Sequence, residues 1–364
     1  MPVNRSPFRI LIAGGGTGGH LFPGIAIAEA FKKQRTCDIR FVGTHSGIEK
    51  RIVPTYGFRL YTIPVSGLYR VGLIRKLKSL FKLPVALVKS LWILATFRPH
   101  LTVGIGGYAS GPILALSILL GKKTILQEQN AYPGMTNRIL GKWVPLAFVP
   151  FEGVDHLFKN PVVAGNPVRK AIITASKQKD ERSGEPIVIT ILGGSQGAHI
   201  LNQTMVDTLP QLASTPHRLK IIHQTGKTDH PWVRSAYDRH PGIEACVSPF
   251  FDDIASVFLQ SHLLICRAGS MVNEIIAVGR ASILVPIAIS SGNHQLENAN
   301  KLSAAGAAIK LEERDLTPDQ LWRSIQALLE DPEKRRAMEA KAKALFPGDA
   351  AETIVSRTIA FFEI

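Results

Sequence analysis

The chain has 364 residues, of which 45% are hydrophobic and 20% charged. That is enough apolar material for two domains with their own cores, and it excludes a disordered or fibrous chain. The formal net charge is +15 and is wholly one-sided: residues 1–163 carry 21 Lys and Arg against 6 Asp and Glu, whereas residues 164–364 carry 22 of each. Three cysteines, Cys37, Cys246 and Cys266, are far apart and odd in number. They fit neither a zinc site nor a disulfide framework, and they point to a reducing cytoplasm. The first eight residues lack a signal-peptide pattern, and no apolar run reaches the ~20 residues needed to span a bilayer.

In chain order, residues 8–13 read as a buried strand, residues 14–19 as a glycine turn and residues 21–33 as a helix. Residues 38–43 are a second strand. Residues 101–105 and 123–127 are two more, followed by Gly106-Gly107-Tyr108 and by Glu128-Gln129-Asn130. The design then repeats. Residues 187–192 form a β-branched run that leads into the glycine loop 193–198 and a helical stretch, and residues 219–224, 262–266 and 282–286 are later strands. Alternating strands and helices predict parallel sheets covered on both faces, in two Rossmann-like domains. The Pro- and Gly-containing segment 160–169 reads as the linker. After Pro347-Gly348, Asp349 is a candidate N-cap for a terminal helix that returns to the first domain.

Glycine at a helix start lets a phosphate approach unpaired N–H groups, so the loops at residues 14–19, 106–112 and 193–198 are candidate phosphate cradles. The first also matches the dinucleotide pattern through Gly14, Gly16 and Gly19. It lacks the acid expected at the end of the second strand, where Thr44-His45-Ser46 stands, and a nicotinamide-dependent oxidoreductase is disfavoured. Gly226-Lys227-Thr228 is not a P-loop, because position 221 is Ile. His20, near the start of the first helix, is either a proton acceptor kept neutral by the helix dipole or a local cap. A basic nucleic-acid-binding module is the third reading of the charge, but no recognised nucleic-acid motif is present, and no nucleic-acid partner is expected.

Seven segments in order carry a resemblance: GGGTGGHLFPGIAIA (14–28), GGYASGP (106–112), EQNAYPGMTNR (128–138), GNPVR (165–169), GGSQGA (193–198), RAGSMVNE (267–274) and NHQLENA (293–299). Together they resemble the UDP-N-acetylglucosamine–N-acetylmuramyl-(pentapeptide) pyrophosphoryl-undecaprenol N-acetylglucosamine transferases of peptidoglycan synthesis, over nearly the whole chain. The resemblance implies a GT-B fold, two Rossmann-like domains facing across a cleft. An acceptor domain of residues 1–164, with residues 347–364 packing back on it, would face a donor domain of residues 165–346. It implies inverting, metal-independent transfer of N-acetylglucosamine from its UDP donor to the 4-hydroxyl of the muramyl sugar of lipid I, with no cofactor. The alternative is a related transferase with another lipid or small-molecule acceptor.

Carried over residue by residue, the resemblance gives Arg169 and the Ser195 loop to the donor diphosphate, Glu274 to the ribose and the backbone near Phe251 to the uracil. Gln295, with His294 and Asn298 near it, would meet the sugar hydroxyls. Thr17, Gly18, Gly19 and Asn130 would close on a sugar from the first domain, and Tyr108, Glu128 and Asn137 would line the acceptor side. Inversion needs a base for the attacking hydroxyl, for which His20 is the first choice and Glu128 the second. Three departures from the family pattern stand out, one of them His294, where a Gln can stand. The turn between Gly269 and Glu274 is one residue shorter, and Gln127 replaces a His before the EQN run.

Leu73, Ile74, Leu77, Leu80 and Phe81 fall at helical spacing, with Arg75, Lys76, Lys78 and Lys82 on the other face. This is the pattern of an interfacial amphipathic helix, or of an ordinary helix with a solvated basic face. Residues 51–127 hold eleven basic residues and no acid. With the lipid-linked acceptor that the resemblance implies, that favours contact with an anionic membrane surface, where each Lys or Arg contributes ~1 kcal/mol. The expected location is peripheral, on the cytoplasmic face of the inner membrane. Trp92 and Phe97 either join that contact or fill the core.

Overall fold

A computed structural model describes residues 6–65, 73–130, 132–150, 152–178, 182, 184, 186–194, 197–287 and 293–364; for residues 73–81 and 155 it describes the backbone. Two compact units result, one of Met1–Arg169 with Pro347–Ile364, the other of Lys170–Phe346.

The first unit is built on seven parallel strands: β1 (Phe8–Ala13), β2 (Cys37–Thr44), β3 (Arg59–Ile63), β4 (Leu101–Gly104), β5 (Thr124–Gln127), β6 (Leu146–Val149) and β7 (Pro161–Val163). Their order is β3-β2-β1-β4-β5-β6-β7. Alternate residues of β1 feed opposite cores. Phe8, Ile10 and Ile12 pack with Leu21, Ile25 and Phe31, whereas Leu11 and Ala13 pack with Ile93, Leu94, Ile113 and Leu114. A central parallel strand has to satisfy both faces, so it is apolar at every position but Arg9, which is half-buried near its start. Its helices are α1 (Gly18–Gln34), α2 (Glu49–Thr55), α3 (Leu73–Phe97), α4 (Ser110–Leu119) and α5 (Met135–Leu140).

The second unit has six parallel strands, β8 (Ile187–Leu192), β9 (Leu219–Gln224), β10 (Glu244–Ser248), β11 (Leu263–Cys266), β12 (Ala281–Leu284) and β13 (Ile309–Lys310), in the order β10-β9-β8-β11-β12-β13.

The segment 160–169 is not simply a linker. Pro161–Val163 pairs with β6 as the outer strand of the first sheet, and the residues up to Arg169 belong to the first unit. The chain leaves that unit at Arg169, five residues later than the sequence suggests. It returns at Pro347, and the Asp349 carboxylate then accepts hydrogen bonds from the N–H groups of Ala351 (3.1 Å) and Glu352 (3.3 Å) to start the last helix, Ala350–Phe362. Ile354 and Val355 of that helix are fully buried in the core formed by α1.

The membrane-contact residues Leu73, Ile74, Leu77, Lys78, Leu80 and Phe81 lie in α3, but their side chains fall outside the described residues; Lys82 is exposed. Beyond them α3 continues with exposed Leu83, Val85, Val88 (69%), Leu91 and Trp92 (56%), while Phe97 is buried. Trp92 is therefore a surface residue and Phe97 a core one. Leu119 (80% exposed) and Leu120 end the neighbouring α4. Among the described residues, no helix is long and apolar enough to cross a membrane.

Candidate active site

In each sheet the strand order reverses once, between β1 and β4 and between β8 and β11. Connections on the two sides of such a point diverge, which opens a crevice at the carboxyl ends of the strands. Both sets of glycine loops sit there.

In the first unit the loops after β1 and β4 touch backbone to backbone. A Cβ on Gly14 would stand 2.4 Å from the Gly106 carbonyl oxygen, and one on Gly107 would stand 2.5 Å from that of Gly15. Both glycines also have positive φ, so no other residue fits either place. The close approach brings His20, on the first turn of α1, against Gly106 and Gln129.

Gln129 sets the state of that imidazole. Its Nε2 donates to the carbonyl oxygens of Ile105 (3.0 Å) and Gln127 (3.3 Å), which turns Oε1 toward His20 Nδ1 at 2.7 Å. Nδ1 therefore carries a proton, and in the neutral ring the lone pair sits on Nε2. His20 itself is half-buried, and Thr17 and Gly16 before it are exposed.

Glu128, the second candidate base, is in another position altogether. It is fully buried. Its Oε1 accepts from the N–H groups of Gln129 (2.8 Å) and Asn130 (2.9 Å) and from Asn130 Nδ2 (3.2 Å). Its Oε2 accepts from the Gly134 N–H (3.1 Å) and Asn137 Nδ2 (2.8 Å). Five donors fill the accepting capacity of one carboxylate. So held, Glu128 orients Asn130 and Asn137 and has no lone pair left for a substrate proton. Asn137 is buried, and its Oδ1 has no hydrogen-bond partner among the described residues. Tyr108 is exposed. Gln127, in place of the family His, is buried and donates to Asn166 Oδ1 (2.9 Å), tying the end of β5 to the segment after β7.

The first glycine loop already contains a carboxylate. Glu49, fully buried at the start of α2, accepts from the Gly16 N–H (2.9 Å), the Thr44 N–H (2.6 Å) and the Thr44 hydroxyl (2.8 Å). An acid does therefore reach the end of β2, but it comes from the next helix and points inward. The Gly16 N–H, expected to be free for a phosphate, is taken.

In the second unit the glycine loop after β8 is braced by Gln224, the last residue of β9, which is buried. Its Nε2 donates to the Gly194 carbonyl (3.0 Å), and its Oε1 accepts from the Phe251 N–H (3.0 Å). Of the Phe251 backbone, the carbonyl is thus the group left for a ligand. Ser195 lies outside the described residues. Glu274 is buried in the first turn of the helix Met271–Val278, and Gln295 begins the helix His294–Ala304, where its Oε1 accepts from the Ile287 N–H (3.2 Å). Asn298 donates to the Ala268 carbonyl (3.0 Å), and its buried Oδ1 has no partner among the described residues. Arg169 stands with the first unit, its guanidinium 4.4 Å from the ring centre of Phe22 on α1.

Beside the glycine loop after β8 runs a polar network. His199, just past the loop, contacts the Asp229 carboxylate through Nδ1 (3.0 Å); Asn202 Nδ2 donates to the same carboxylate (2.8 Å). His223 Nε2 donates to Asn202 Oδ1 (3.1 Å), and its Nδ1 accepts from the Tyr237 hydroxyl (3.0 Å). Burial pushes the His223 imidazole down to about 3, outweighing the opposing charge of Asp229, and pushes the Tyr237 phenol up. For Asp229, burial acts upward, but hydrogen bonds from Asn202, Trp232 and His199 outweigh it and hold the carboxyl below its usual range.

Two family models match. The glycosyltransferase family 28 N-terminal domain covers residues 10–149 and its C-terminal domain residues 188–354. The chain belongs to glycosyltransferase family 28. Among family 28 relatives, a protein of Syntrophus aciditrophicus (strain SB) is 43% identical over 98% of this chain and 99% of its own length. One of Myxococcus xanthus (strain DK1622) is 40% identical over 95% of this chain and 91% of its own. Both are named UDP-N-acetylglucosamine--N-acetylmuramyl-(pentapeptide) pyrophosphoryl-undecaprenol N-acetylglucosamine transferase. The crystal structure of Acinetobacter baumannii MurG superimposes with a TM-score of 0.76 at 28% identity, covering 97% of this chain and all of that one. The family 28 fold with its two Rossmann-like units is thus GT-B, as the resemblance implies.

Proposed function

We propose that this protein transfers N-acetylglucosamine from UDP-N-acetylglucosamine to the 4-hydroxyl of the muramyl sugar of lipid I, forming lipid II for peptidoglycan. The observation that carries this reading is the 43% identity to a so-named transferase across 98% of the chain. The geometry around His20 supports it.

Nε2 of His20 takes the proton of the attacking hydroxyl as its oxygen bonds to the anomeric carbon. The bond from that carbon to the diphosphate oxygen breaks on the opposite face, and UDP leaves with the electron pair. A base so placed contributes ~10²–10⁴-fold. The N–H groups at the start of the helix His199–Asp207 and the Arg169 guanidinium offset the charge on the departing diphosphate. Glu274 takes the ribose, the Phe251 carbonyl the uracil, and Gln295 the sugar hydroxyls. Ser195 joins the diphosphate. Thr17, Gly18, Gly19 and Asn130 close on the sugars, with Tyr108 and Asn137 on the acceptor side. Glu128 holds these asparagines in place.

The protein works as a peripheral enzyme on the anionic, cytoplasmic face of the membrane. The exposed apolar residues 83–92 of α3, together with the basic run around them, support this. Incubation with UDP-N-acetylglucosamine and a lipid I analogue tests the activity: lipid II and UDP appear in equal amounts. No UDP release above background overturns it.

A further inference from the structure

Glu49 is enclosed by glycines as well as by donors. A Cβ on Gly15 would stand 2.8 Å from its carboxyl carbon, one on Gly43 2.3 Å from its Cγ, and one on Gly47 would overlap its Oε2. Gly43 belongs to β2, whose φ needs no glycine, so space for this side chain is the reason a Cβ is missing there. The carboxylate joins three segments: the loop after β1 through Gly16, the end of β2 through Thr44, and α2 through its own backbone. Four residues past Gly16 stands His20.

The place Glu49 occupies is where a phosphate would meet the loop N–H after the first strand of a Rossmann unit. We propose that Glu49 is a positioning residue of the transfer site, a built-in carboxylate that fills the anion position of the first glycine loop. It fixes the start of α1 so that His20 faces the acceptor hydroxyl. The loop is thereby closed to the phosphates of either substrate at Gly16, and its task is to aim His20. This rests on the transferase reading given above.

The donors and the glycine walls belong to the backbone and to Thr44, so a shortened side chain leaves a carboxylate-shaped cavity that still presents three hydrogen-bond donors. Glu49→Ala, assayed with UDP-N-acetylglucosamine and a lipid I analogue, loses about a hundredfold in kcat, the scale of a misplacement of about 1 Å. Its affinity for UDP-N-acetylglucosamine, measured by calorimetry, stays within about twofold. Sodium formate restores at least about tenfold of the lost kcat and raises the Tm of this variant relative to sodium chloride, with no such rise in the parent protein. An unchanged kcat, or a loss that formate leaves untouched, overturns the proposal.

Glu49→Gln keeps the volume but turns an amide N–H toward the N–H of Gly16 or Thr44. It loses at least about tenfold in kcat without any response to formate. Parental kcat in this variant overturns the proposal even if the alanine variant does not fold. Should the parent protein itself transfer no sugar, the proposed function fails, while the formate-dependent Tm of Glu49→Ala still decides whether the cavity takes a carboxylate.

Discussion

Gln129 Oε1 lies 2.7 Å from His20 Nδ1, and this contact decides which imidazole nitrogen carries the proton. Replacing His20 by Ala lowers kcat by about 10²–10⁴-fold. Replacing Gln129 by Met keeps the ring but no longer sets its tautomer, and it lowers kcat by about 10–100-fold, the scale of losing a residue that orients a reactive imidazole. Steady-state kinetics with saturating donor check both. Donor affinity is expected to be unchanged in each variant, and a parental kcat in His20→Ala would remove the imidazole from the mechanism.

Gln224 joins the Gly194 carbonyl to the Phe251 N–H, so one side chain holds the two segments assigned to diphosphate and uracil. Gln224→Met leaves the part-buried Phe251 N–H without its acceptor and the Gly194 carbonyl without its donor, at a cost of about 1–3 kcal/mol. Calorimetric titration with UDP is expected to show weakening of about 5–100-fold. Equal affinity would mean that the loop holds its shape without this bridge.

His223 gives a pH dependence with a definite sign. Its imidazole ordinarily titrates near 6.5 and is pushed by burial down to about 3. As pH falls through 6.5, the unfolded chain takes up a proton that the folded one refuses. Stability is therefore full above that pH and declines below it by up to about 1.4 kcal/mol per unit. Asp229, whose ordinary value is 3.8, contributes above that pH and adds nothing to the slope at milder acidity. Between about pH 7 and about pH 5, denaturant unfolding is expected to show a loss about 2 kcal/mol greater than that of His223→Gln, since His100, also shifted downward, contributes to both. Glutamine offers the Tyr237 hydroxyl an acceptor and Asn202 Oδ1 a donor.

The exposed apolar residues of α3 predict vesicle binding. Val88→Asp and Trp92→Ala are expected to lower the bound fraction on vesicles of anionic phospholipid in a sedimentation assay, with UDP affinity intact. A bound fraction equal to that of the parent would place the membrane contact elsewhere.

How much of this was legible beforehand follows from where each strand lies. β1 and β8, central in their sheets, are mostly buried on both faces and read as apolar runs interrupted only by Arg9 and Thr190, with the bounds the sequence suggests. The strands that escaped notice include all four sheet edges: β3, β7, β10 and β13. An edge strand has one neighbour and partial exposure, so Arg59–Ile63 and Glu244–Ser248 carry charge at their ends and look like loops. β6 is buried, but four residues between Pro145 and Pro150 are too short a run to stand out.

The site shows the same division. His20 and the glycine loops announced themselves because motif and chemistry coincide. Gln129 lay inside a recognised run, yet only the fold shows which way its amide faces. Glu49 was missed because the acid was sought at the end of β2, whereas it arrives from the following helix. Gly43 and Gly47, spaced around it, were the available signal. Gln224 carries no pattern at all, being the last residue of a strand that any polar residue could end.

The helix Ala350–Phe362 gives the first unit the last piece of its core. During synthesis the amino-terminal strands emerge first, but Ile354 and Val355 emerge only after the whole of residues 170–346. The continuous unit of residues 170–346 is released before the unit that precedes it can close. Until then the nascent α1 has an open apolar flank, the kind of exposed surface that makes a partly folded chain prone to aggregate.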